Sequence, residues 1–219
     1  VWLFRPPPEN HFNVQVGFGI KLPTGKEDTT YNRSVTGAVI ADTSVDQSIQ
    51  LGDGGWGFNL NYTLYKSIRR FTVYSNGKYL FNPMNMNGVR TGRGNPYETI
   101  MSISDQYLWQ AGIGYAVPKI RGLAFTVSSR MDGVPARDLI GREDGFRRPG
   151  YAVSLGPGVQ YMRGKDMWSL NVGIAVRRDR TRSIADIRSG VNAAGVPVHG
   201  DAAFADSVRK EVCPLAQGG

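Results

Sequence analysis

Histidine chemistry in this 219-residue chain rests on two residues, His11 and His199. His199 stands two positions before Asp201, and together with a serine such as Ser154 the three side-chain types are those of a hydrolase triad. The triad chemistry needs a nucleophile elbow and an oxyanion site, yet no serine here sits in a G-x-S-x-G phrase. Two histidines far apart in sequence give no metal signature, and the single cysteine, Cys213, forms neither an internal disulfide nor a zinc cluster. Gly52-Asp53-Gly54-Gly55-Trp56-Gly57 has G-x-G-x-x-G spacing, which cradles a dinucleotide only when it follows a strand and opens a helix. Here it follows a loop-like stretch and opens an alternating apolar run, so it reads as a loop-to-strand junction. Pro23-Thr24-Gly25-Lys26 fails as a phosphate loop. Gly19 lies one residue too far from Gly25, and Glu27 stands where the magnesium-binding hydroxyl belongs. The expectation is a non-enzymatic protein without cofactor or metal.

The elements that carry these residues are set by composition and period. Hydrophobic residues make up 41% and charged residues 20%, too apolar for a disordered chain. No run of 18 apolar residues exists, which excludes a spanning helix; a barrel strand needs only about 9–11 alternating residues. The net charge of +8 comes from 19 Arg and 7 Lys against 18 acids. The arginines are scattered, with pairs at Arg69-Arg70, Arg147-Arg148 and Arg177-Arg178 but no basic block, helix or zinc-finger spacing, so no nucleic-acid partner is expected. Pro6-Pro7-Pro8 reads as a stiff linker rather than a recognition helix.

Seven segments alternate with period two. The first sets Val14, Val16, Phe18, Ile20 and Leu22 against Gln15, Gly17, Gly19 and Lys21; the second sets Trp56, Phe58, Leu60, Tyr62 and Leu64 against Gly57, Asn59, Asn61 and Thr63. The others run over 71–81, 106–117, 123–130, 151–161 and 168–177. Helical spacing explains none of them, so the chain is all-β. The connections alternate as well. Short turns fall at 67–70, 118–121 and 163–166, and long connections at 24–54, 82–104, 132–149 and 178–199. Long loops confined to one rim mark an outer-membrane barrel. Tyr115, Tyr161 and Trp168 lie near the short turns, while Trp56, Tyr79, Tyr107 and Tyr151 lie near the long loops, giving two aromatic bands around an aliphatic middle. The opposite face is rich in Gly, Ser, Asn and Gln, too small and polar to fill a dry core.

The phrase Gly17-Phe18-Gly19-Ile20-Lys21-Leu22-Pro23-Thr24-Gly25-Lys26 resembles a Gram-negative outer-membrane family, the transporter-like barrels named for the phenol meta-degradation pathway. Further matching phrases are Asp105–Leu108, Asp144–Tyr151 and His199–Asp206, so the resemblance spans roughly residues 2–206. It implies an outer-membrane β-barrel and supplies no catalytic residues. Relatives carry a signal peptide and strands ahead of the position of Val1 and end in an apolar strand with a terminal aromatic. Residues 207–219 depart from that ending.

The resulting expectation is one domain over 1–219, an antiparallel up-and-down transmembrane β-barrel with about eight strands visible, part of a larger barrel in the bacterial outer membrane. Its partners would be outer-membrane lipid and small solutes. The residues expected to line the lumen are Lys21, Asn59, Asn61, Lys78, Gln106, Gln110, Arg130, Gln160, Asn171 and Arg177. The excess of Lys and Arg among them favours anions. A passive channel is one function; a plugged barrel with a structural or surface-interaction role is another. A soluble β-sandwich or ligand-binding barrel shares the alternation but would turn its apolar face inward.

Overall fold

A computed structural model describes residues 1–5, 11–35, 37–46, 49–91, 93 and 95–190. The Pro6–Pro8 run, the His199–Asp206 phrase, Cys213 and the tail 207–219 lie outside the described residues. All seven alternating segments form strands, and these make one antiparallel meander. In chain order its members are β1 (Phe12–Lys21), β4 (Gly57–Ile68), β5 (Phe71–Phe81), β8 (Gln106–Ala116), β9 (Leu123–Val134) and β10 (Gly150–Arg163), followed by β11 (Asp166–Asn171) and β12 (Ile174–Arg180). Residues 1–3 pair along the outer edge of β1, with Leu3 N–H donating to the Val14 carbonyl at 2.8 Å.

β11 and β12 are one strand in effect, since both pair with β10 in a single register from Arg163↔Asp166 to Leu155↔Ile174. The break between them has a plain cause. Pro157 accepts from Val172 N–H at 3.0 Å but has no N–H to return, so the ladder loses one bond there.

The three short turns lie at one end, at Arg69-Arg70, at 117–122 and at Gly164-Lys165. The two-residue hairpins need left-handed backbone; Gly164 supplies it at φ 62°, while Arg69 adopts φ 57° with a side chain attached. The other end carries the long connections. These hold a hairpin of β2 (Thr30–Val35) and β3 (Ala38–Ser44), a pair of short strands β6 (Met86–Arg90) and β7 (Ile100–Ser102), the loop 135–149, and α1 (Ile184–Ser189) after β12.

The sheet is curled into a half-barrel, and among the described residues its two edges do not pair with each other. Direct pairing assigns every side chain to a face. One face holds Phe18, Leu60, Tyr79, Tyr107 and Tyr151 at the loop end and Phe71, Tyr115 and Phe125 at the turn end. The aliphatic residues Val14, Leu64, Leu155 and Ile174 lie between these aromatic rows. Ring contacts run within the rows, with Phe58 and Phe81 stacked at 4.7 Å and Phe71 against Tyr115 at 5.0 Å. This apolar face is bare, while the curl shelters the polar one. Phe125 and Val127 are 54% and 60% exposed, but Thr126 between them is 6% exposed. The buried hydrophobic side chains among the described residues are Met101, Ile103, Ile184 and Ala185, all in the loop-end structure rather than on the strands of the meander. A soluble sandwich would bury its strand faces instead.

Candidate functional site: the polar face and its loop-end rim

The polar face is built by glycines placed opposite amides. Asn61 lies over Gly17 and Asn59 over Gly19, each where a Cβ on the glycine would stand, and Asn61 Nδ2 donates to Asn59 Oδ1 at 3.3 Å. Across the sheet Asn171 covers Gly158, and Thr126 Oγ1 donates to Asn171 Oδ1 at 3.4 Å. The glycines therefore let neighbouring amides lie flat, keeping the wall thin and polar.

The pairing brings nine of the ten expected lining residues onto this face. Lys78 pairs with Asn61 and Leu108, Gln110 with Asn76 and Arg130, Gln106 with Leu80, and Gln160 with Ala124 and Ser169. Arg177 is the exception, and a bulge is the reason. Ser154 pairs with Ala175, but Val153 pairs with Arg177, so one extra residue enters β12. Arg177 then shares the apolar side with Val153. Its guanidinium lies 5.6 Å from the Tyr151 ring and donates to Asp179 at 3.3 Å. Arg178, opposite Ala152, takes the polar parity in its place.

Two of the expected cations that lie on this face are already paired. Lys21 Nζ donates to Asp53 at 2.5 Å and to Asn82 Oδ1 at 2.9 Å, and Arg130 Nε donates to Asp132 at 2.9 Å. Lys21 and Gln106 also line a cavity of about 850 Å³ at the loop end, whose other walls include Leu51, Ser104, Phe146 and Arg148. Lined by amides, hydroxyls and charges, this surface can replace part of a solute's hydration shell. Ser154 shares the polar face, whereas His199 and Asp201 lie outside the described residues. The Gly52–Gly57 phrase runs from loop into β4, with no helix following it.

The loop-end rim holds a buried network that the sequence did not suggest. Arg147 forks onto Asp138 at 2.8 and 2.7 Å and donates to Ser102 Oγ at 2.7 Å. Asp138 also accepts from Asp105 N–H at 3.0 Å, and Asp105 accepts from Asn82 N–H, Tyr79 Oη and Leu139 N–H at 2.7–3.0 Å. Two long connections, 82–105 and 135–149, are thus tied to each other and to the ends of β5 and β8. Charged bidentate bonds of this kind are stronger than neutral ones. The signal available for it was the set of phrases Asp105–Leu108 and Asp144–Tyr151, which bracket two of its members.

α1 joins the same rim. Ser183 and Asp186 form a reciprocal capping box, Arg188 donates to Asp144 at 2.8 Å, and Asn85 donates to Asp144 at 3.1 Å. Partial burial pushes the Asp144 carboxyl up, but the Arg188 and Asn85 hydrogen bonds and the charges of Arg188 and Arg142 outweigh it and hold it below the usual carboxylate value. A carboxyl held low stabilises the fold above its unfolded pKa and loses that contribution as pH falls through the lowered value. Amide protection of residues 187–190, corrected for intrinsic exchange, is therefore expected to fall below about pH 4. In Asp144→Asn the protection should be lower at neutral pH and lose this acid-dependent step.

No protein-family model matches the chain, and no curated protein sequence matches it either.

Proposed function

We propose that the chain forms the wall of a bacterial outer-membrane β-barrel that conducts small solutes passively, with its apolar face in lipid and its polar face toward a wet lumen. The observation that carries this reading is the inversion of exposure along the strands from β1 to β9: apolar side chains bare, small polar ones sheltered. Lipid is the solvent in which that arrangement is favourable, and the aromatic rows at both ends of an aliphatic band suit its two interfaces. The long connections would lie on the outer side and the short turns on the periplasmic side. Glycine–amide packing keeps the wall smooth, which suits a conduit. The test is conductance of the full chain in planar bilayers. Discrete steps are expected; silence at every voltage in bilayers that hold the inserted protein would favour a plugged, structural barrel.

A further inference from the structure

We infer that Lys78 and Arg178 form an anion-selecting level of the lumen, an inference that rests on the conduit reading above. One row of directly paired residues crosses the polar face as Gly17, Asn61, Lys78, Leu108, Asp132, Ala152 and Arg178. Lys78 and Arg178 flank Asp132 symmetrically, each two strands away. Two strand spacings are about 10 Å between backbones, and neither cation makes an ion pair with Asp132.

Asp132 is held instead by Arg130 of the neighbouring row. Elsewhere on this face Lys21 is bound to Asp53, and Arg180 lies 3.8 Å from Asp186. Among the described residues, Lys78 and Arg178 are the polar-face cations without an ion-pair partner. The two rows together carry three cations, Lys78, Arg130 and Arg178, against Asp132, a net charge of two positive. The curl of the sheet turns these charges toward the concave side of the half-barrel. Side chains at Asn61 and Gln110 add amide donors beside Lys78 and Arg130. The ligand class this suits is small anions, inorganic or carboxylate, passing in partly hydrated form.

The bulge makes the inference separable from a general effect of basic charge. Arg177 and Arg178 are adjacent and chemically identical, but only Arg178 has the polar parity. Reversal potentials of the full chain across a potassium chloride gradient read the difference. The wild type is expected to pass chloride over potassium. Arg178→Gln and Lys78→Gln should each lower the permeability ratio by about twofold, an effect that shrinks as salt rises because screening acts over about 8 Å. Arg177→Gln should leave the ratio unchanged. Chloride entry into vesicles at matched protein content gives the same comparison should a variant insert poorly. A conducting wild type without anion preference overturns the inference alone, as does a ratio that responds to Arg177→Gln but not to Arg178→Gln. A chain that inserts but never conducts overturns both the inference and the conduit reading.

Discussion

Arg147→Met is expected to destabilise the folded chain by about 3–5 kcal/mol, because it strands a carboxylate that has no access to water. The Arg147 and Asp138 side chains are 1% and 0% exposed, and the guanidinium meets both carboxylate oxygens as well as Ser102 Oγ. Removing the arginine leaves Asp138 with the backbone N–H of Asp105 as its remaining described donor. The measurement is urea unfolding of the chain folded in detergent or vesicles, compared at fixed lipid content. The double variant Arg147→Met with Asp138→Leu should recover much of the loss, since an apolar pair of similar volume carries no stranded charge. A single variant within about 0.5 kcal/mol of wild type would show that the pair is not buried in the folded protein.

Leu155→Arg is the second large effect, and its size depends on the solvent of the apolar face. Leu155 sits mid-strand in β10, between Ser129 and Ile174, with 45% of its surface exposed. In water, an exposed leucine tolerates arginine within about 0.5 kcal/mol. At the midplane of a bilayer, arginine on the lipid face of a barrel costs about 2–4 kcal/mol. We expect the larger figure from reversible folding into vesicles. The change should be smaller for Tyr161→Arg, near the turn end, where the long side chain reaches the interface.

Much of the fold was legible because strands write their faces into the sequence at period two. The seven segments, the alternation of short and long connections, and the opposition of Asn59 and Asn61 to the apolar residues between them all follow from that period. The bulge in β12 was not legible. The alternation of Ile174 and Val176 with polar neighbours holds through Arg177, and the extra residue appears only when β12 is laid against β10. Ion pairing of Lys21 was hidden for a different reason, because Asp53 lies 32 positions away in a connection with no periodicity. The same holds for the rim network. Arg147 and Arg148 read alike as loop charges, yet one is buried on Asp138 and the other stays exposed at the cavity wall. Periodicity reports which way a strand side chain faces; it carries no information on which loop residues meet.

The central claim is that the apolar face meets lipid and the polar face meets water. The most direct measurement is site-directed spin labelling along β10, in a background where Cys213 is replaced by serine and the chain is reconstituted in vesicles. Labels at Val153, Leu155 and Val159 are expected to collide with oxygen, which partitions into lipid, and to escape a water-soluble nickel complex. Labels at Ala152, Ser154 and Gln160 should show the reverse, giving an accessibility period of two. Nickel collision at all six positions, or oxygen preference on the Ser154 side, would contradict the account.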